Sequence, residues 1–227
     1  MHAVDNVLFI ENHFNKAVST GQILRFGKTG KLTFICNVFD SGVLAIHDAR
    51  EIYAFNNVFR QNLLRLDGKG SQYYGTRKIV FRNNAVIDSG VWVTKGKSSN
   101  WKDLESIEAD HNYYYVDDAA KRGPWACAQS AEWNLLESYS RLKDKFPEES
   151  RRDSAWLLSA AEKEKDKWGF ALSPTSIDGI TRKMAPGDLF VDPEKGDFRL
   201  KDGCPLIGAG VDVGQPFKGK SPNIGAF

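Results

Sequence analysis

The sequence predicts an all-β chain of short parallel coils stacked on one another. Three observations predict it. The phrase apolar-x-apolar-x-x-Asn-x-apolar recurs five times in the first half of the chain. A second apolar-alternating stretch follows most of those phrases. The content of both is β-branched and aromatic, which suits strands rather than helices.

The first phrase is Leu8-Phe9-Ile10-Glu11-Asn12-His13-Phe14 and the second Thr33-Phe34-Ile35-Cys36-Asn37-Val38-Phe39. Tyr53-Ala54-Phe55-Asn56-Asn57-Val58-Phe59 and Val80-Phe81-Arg82-Asn83-Asn84-Ala85-Val86 follow, and a weaker copy is Glu108-Ala109-Asp110-His111-Asn112-Tyr113-Tyr114. The asparagines stand 25, 20, 27 and 28 residues apart, a period that marks a solenoid. Units this short cannot bury an apolar face alone, so they must stack.

Asn12, Asn37, Asn57, Asn84 and Asn112 are expected to form a hydrogen-bonded ladder from coil to coil. An amide has two donors and an acceptor, so it also serves corner backbone groups that would be buried unpaired. Asparagine tolerates the left-handed backbone of a sharp corner, and the role read for these five residues is structural. His13 and His111 flank the ladder and are read as structural too, and Asp48 and Asp88 as turn formers.

The second stretch reads Ile23-Leu24-Arg25-Phe26-Gly27, Val43-Leu44-Ala45-Ile46-His47, Leu63-Leu64-Arg65-Leu66-Asp67 and Val91-Trp92-Val93-Thr94-Lys95. Each coil therefore has a strand before the Asn corner, a short strand after it, and this third strand. That plan is a right-handed parallel β-helix with three-strand coils, an Asn ladder and, further along, a helical insertion.

Residues 1–118 carry the coils. Residues 119–170 read as a mainly helical insertion, with one helix carrying Trp133, Leu136, Tyr139 (or Ser140) and Leu142 and ending at Pro147. A second runs from about Glu148 to Lys167 with Ala155, Trp156, Leu158 and Ala161 as its apolar stripe, and Glu162–Lys167 as a solvated face. Residues 171–227 close the solenoid.

A formal net charge of +2 implies no bulk attraction to nucleic acid, and no run of eighteen apolar residues suits a membrane span. The start lacks the pattern of a signal peptide. A strand phrase begins so near Met1 that amino-terminal coils of a larger β-helix are expected to be missing. Cys36, Cys127 and Cys204 have no CxxC spacing, which argues against a zinc site and a disulfide framework; Cys36 reads as a small buried apolar residue.

The closing passage runs Asp188-Leu189-Phe190-Val191-Asp192-Pro193, Gly196-Asp197-Phe198-Arg199-Leu200, Gly203-Cys204-Pro205-Leu206-Ile207-Gly208-Ala209-Gly210 and Pro222-Asn223-Ile224-Gly225-Ala226-Phe227. It resembles the end of many secreted bacterial right-handed β-helix proteins of the pectate-lyase-like superfamily, with Cys204 where Ser and Asn223 where Asp is usual. The resemblance covers the coils and the tail and implies the fold; the fold itself hosts lyases, hydrolases, epimerases and adhesins.

In pectate lyases the substrate groove runs along the strand that opens the coil after the ladder corner. The resemblance thus makes the third strand the groove strand here. Alternation assigns Leu24, Leu44, Leu64, Trp92 and Phe26, Ile46, Leu66, Thr94 inward. It assigns outward one column of Arg25, Ala45, Arg65, Val93 and a neighbouring one of Gly27, His47, Asp67, Lys95. Arg25 and Arg65 suit uronate carboxylates, with Asp67 beside them as a substrate-binding residue. His47 or Lys95 suits the base that removes the proton α to the carboxylate, with Arg65 stabilising the charge that develops. Calcium enters by resemblance alone, with Asp67 as its ligand or as the residue orienting His47.

Outward charges on a solvated sheet also pair with one another, and that reading stands beside the catalytic one. The expectation is a polysaccharide lyase-like β-helix that cleaves an anionic polysaccharide, secreted, periplasmic or at the cell surface in the parent protein. A glycoside hydrolase on the same fold is one rival. The other is a glycan-binding or adhesin module using Trp101, Trp125 and Tyr113–Tyr115. The Arg-x-Pro-x-x-Arg phrase of pectate lyases and the paired-Asp spacing of polygalacturonases are both absent from the sequence.

Overall fold

The computed structural model describes residues 4–15, 22–26, 29–46, 49–67, 77–87, 90–94, 106–115, 125–128, 177–181 and 185–226. For 22–26, 61–67, 90–94, 125–128 and 177–181 the description is of the backbone. The two predicted helices lie outside the described residues.

Each sequence repeat becomes a rung of strands, and consecutive rungs pair in parallel. Strands β1 (Val4–Ile10), β2 (His13–Asn15) and β3 (Gln22–Phe26) make the first rung. Then come β4 (Thr29–Ile35) and β5 (Val38–Ile46), then β6 (Ala49–Phe55) and β7 (Val58–Asp67). The fourth rung is β8 (Lys78–Arg82), β9 (Ala85–Ile87) and β10 (Gly90–Thr94). Strand β11 (Ser106–Tyr115), β12 (Trp125–Ala128) and β13 (Ile177–Thr181) follow.

These strands form one 13-stranded sheet that is parallel at every pairing. Three stacks run through it. The first is β1-β4-β6-β8-β11-β13, and the second is β2, the start of β5, the start of β7, β9 and the end of β11. The third is β3, the end of β5, the end of β7, β10 and β12. The described residues are therefore mostly β, and this sheet is parallel, in a solenoid-like stack, as the repeat predicted.

Three details were not part of the sequence reading. In the second and third rungs the two strands after the corner are one continuous strand. In β5 the bend between its halves is made by Ser41 and Gly42, both at positive φ, rather than by a loop. The four described residues between 119 and 170 form β12, which extends the third stack. The closing segment contributes β13 to the stack. Beyond residue 184 it becomes a separate strap: α1 (Pro186–Leu189), β14 (Phe190–Asp192), a 3₁₀ turn at Pro193–Lys195 and β15 (Asp197–Leu200), with β14 and β15 antiparallel.

The ladder forms as expected. The backbone N–H and Nδ2 of each Asn donate to Oδ1 of the next: Asn12 to Asn37 (3.0 and 3.1 Å), Asn37 to Asn57 (3.0 and 3.1 Å), Asn57 to Asn84 (2.9 and 3.0 Å) and Asn84 to Asn112 (2.8 and 3.0 Å). The second Nδ2 proton reaches back a rung to a carbonyl, Phe9 from Asn37, Phe34 from Asn57, Ala54 from Asn84 and Phe81 from Asn112. Asn37, Asn57, Asn84 and Asn112 are fully buried. Burial without those bonds would cost about 1–3 kcal/mol per orphaned group.

The left-handed residue is not the ladder Asn but the one before it: Glu11, Cys36, Asn56, Asn83 and His111 have φ of 52–58°. A left-handed residue there turns the chain through the corner and delivers the following Asn into the interior. Cys36 is accordingly half-buried at a corner, not a core residue.

Inside, phenyl rings stack from rung to rung. Phe14, Phe39, Phe59 and Phe81 lie 4.9, 5.1 and 5.6 Å apart between successive centroids. The stack changes column at its end, because Ala54 leaves room where Phe34 had stood and Phe81 then replaces the ring that Val86 lacks. Leu44 and Ile46 are buried, as their inward assignment required.

Candidate functional site

On the third stack the backbone register runs Arg25, Ala45, Arg65, Trp92, Ala126. Arg25 and Arg65 therefore share one register line two rungs apart, about 10 Å along the stack. The alternation reading had aligned Val93 with Arg65; Trp92 takes that place. Val91 and Val93 pair with Leu64 and Leu66, and Thr94, not Lys95, stands level with Asp67. The one-residue difference arises because Val91-Trp92-Val93 is apolar throughout, so alternation could be phased either way. His47 and Lys95 lie outside the described residues, and Arg25, Arg65 and Asp67 are placed by their backbone.

The first stack carries a charged strip that the sequence reading did not single out. Glu51, Tyr53, Lys78, Arg82, Glu108 and Asp110 occupy alternate positions of β6, β8 and β11, which the strand pleat sets on one face. Tyr53 donates to Glu51 at 2.8 Å, and Lys31 lies 4.5 Å from the Tyr53 ring centroid. Glu108 bridges Lys78 (2.8 Å) and Arg82 (3.2 Å), and Arg82 also reaches Asp110 at 2.9 Å. His111 Nδ1 stands 3.1 Å from Asp110 Oδ1.

Burial first, then the Glu51 hydrogen bond and nearby carboxylates, push the Tyr53 phenol up to about 12. It is protonated at neutral pH and serves as a donor. The cations of β8 are matched to carboxylates of β11, so the strip fastens rung to rung. Its signal in the sequence was the change at these positions from Leu8 and Ile10 in the first repeat to Glu108 and Asp110 in the last.

A third charged group sits beside the strap. Arg60 holds Asp40 at 3.2 Å and Glu194 at 2.7 Å, tying the second stack to the 3₁₀ turn. Asn83 grips the strap backbone at two points, donating to Val211 O at 2.7 Å and accepting from Val211 N–H at 2.9 Å. Asn56 donates to Asn223 O at 2.7 Å. Leu189, Phe190, Phe198, Leu206 and Ile224 bury themselves against Val38, Val58, Ala85 and Tyr113, the residues that follow the ladder asparagines.

Burial, then Glu11, raises the Cys36 thiol, so it is held as the unreactive thiol form. Among the described residues no group of three His, Cys, Asp or Glu side chains could hold a metal ion, and no helix is long and apolar enough to cross a membrane. The comparisons with protein-family models, curated proteins and solved structures give no match to the chain.

Proposed function

We propose that the chain is a right-handed parallel β-helix of the pectate-lyase-like kind and that it cleaves an anionic, uronate-containing polysaccharide by β-elimination. The reading is supported by the buried Asn ladder, the three parallel stacks and the wording of the closing passage. The observation that carries it is the shared register of Arg25 and Arg65 on the third stack, two rungs apart, which sets two arginine positions on one line for the carboxylates of a single polymer.

In this reading Arg25 and Asp67 bind the polymer and Arg65 pairs with the carboxylate of the reacting unit. His47 or Lys95 takes the proton α to that carboxylate. The electron pair forms the new carbon–carbon double bond, the bond to the glycosidic oxygen breaks, and the departing oxygen is protonated. Arg65 stabilises the enolate-like charge between those events. Calcium is implied by the resemblance alone, and no step runs through it. The parent protein would work where such polymers occur, secreted, in the periplasm or on the cell surface.

Ultraviolet absorbance of the unsaturated product tests the reading on pectate, alginate and glycosaminoglycans, with and without calcium. A rise that falls about 10²-fold or more in Arg65→Ala or Lys95→Ala supports it. New reducing ends without absorbance would show a hydrolase, which needs two carboxylates about 6.5–9.5 Å apart if inverting. Neither signal, with retention on a glycan column, would show a binding module.

A further inference from the structure

The first rung ends the ladder with an acceptor to spare. Asn12 uses all its donors: backbone N–H and one Nδ2 proton go to Asn37 Oδ1, and the other Nδ2 proton to Ile10 O. Every later ladder Oδ1 accepts two bonds from the rung before it, whereas Asn12 Oδ1 accepts none among the described residues. The aromatic stack ends there too, with Phe14 half-buried and Phe39 and Phe59 beneath it fully buried. Among the described residues strand β1 is an edge strand, paired with β4 alone. Its Leu8 and Ile10 are 57% and 46% exposed, against 9% and 6% for Thr33 and Ile35 one rung on.

We infer that this rung is a docking face for one more strand of the repeat type. That strand runs parallel to β1, lays an apolar side chain over Phe14 and carries an asparagine over Asn12. The hydrogen-bond inventory selects this occupant. The face offers an acceptor, so the newcomer must bring donors, as a ladder Asn does with its N–H and Nδ2. A two-fold pairing of first rungs would set one Asn12 acceptor against another. A head-to-tail stack of two copies would lay the β13 rung over it, where Gly179 occupies the ladder position opposite Asn112 and offers its backbone N–H alone, without the side-chain amide that gives every other rung a second donor. At the far end Gly179 stands in the place of an asparagine, whereas at this end Asn12 Oδ1 has no donor among the described residues. The inference stands on the ladder bonds and is independent of the enzymatic reading.

The test uses the intact chain and a peptide copied from its own Lys78–Ile87 segment, which carries the ladder Asn84 in repeat context. Amide hydrogen exchange is followed across residues 4–15. The expected result is slowed exchange in β1, with binding about tenfold weaker for the peptide bearing Asn84→Ala and for the chain bearing Asn12→Ala. Equal binding of the two peptides, protection elsewhere, or no protection at all would overturn the inference. So would concentration-dependent protection of β1 in the chain alone, which would make the occupant a second copy.

Discussion

One amide per repeat holds each corner, and its worth depends on where it stands. Asn57 in the middle of the ladder accepts two bonds from Asn37 and donates to Asn84 Oδ1 and Phe34 O. Asn57→Ala strands two buried donors and is expected to cost about 2–5 kcal/mol, whereas Asn12→Ala at the exposed end should cost under about 1 kcal/mol, both read from urea unfolding. Tyr53 gives a pH dependence. Its phenol titrates near 12 in the fold against an ordinary 10.0, so its contribution is complete below pH 10 and is lost as pH rises toward about 12. Tyr53→Phe should flatten that alkaline fall in the unfolding midpoint, with tyrosinate absorbance as the direct check. The ladder was legible because one residue type recurs at one place in a repeated phrase. Asn56 and Asn83 sit one residue earlier in two of the same phrases, yet their role was not legible. Their partners, Asn223 and Val211, lie 167 and 128 residues away, and only the folded strap brings them together.

Among the elements, the register of the first stack followed from the repeat phrase, though its charged strip did not, and the third stack was legible only in part, for a reason of phase. Strand β4 alternates Leu32, Phe34 inward with a corner that fixes the count, so its register has one solution. Strand β10 is apolar at three successive residues, so its one-residue displacement cost nothing in pattern. The candidate groove residues inherit that ambiguity, and Lys95 loses its place level with Asp67. Close approach fixes other positions. A Cβ at Gly30 would stand 2.5 Å from the Asp5 carbonyl oxygen, backbone against backbone. Gly30→Ala should therefore speed amide exchange in β1 and lower stability by about 1–3 kcal/mol. At Gly210 a Cβ would meet Asn83 Cγ and Oδ1 at 2.9 Å, so Gly210→Ala should loosen residues 206–226 toward proteolysis while the ladder stays protected.

At the scale of the whole molecule, the strap is the covering of the second stack. The residues after the ladder asparagines, Val38, Val58, Ala85 and Tyr113, are as buried as the interior because Leu189, Phe190, Leu206 and Ile224 lie over them. A chain ending at residue 184 should bind an apolar dye strongly and precipitate near neutral pH, its ladder intact but one flank bare. The strap also crosses the rungs instead of extending them: Gly196 lies against His13, Glu194 reaches Arg60, and Val211 and Asn223 are held by Asn83 and Asn56. This gives the molecule a mechanical polarity. A pull on the carboxyl end must peel a batten nailed across five rungs before it loads any of them. A pull on the amino end meets β1 directly and can lift the rungs away one at a time, like slats from a blind.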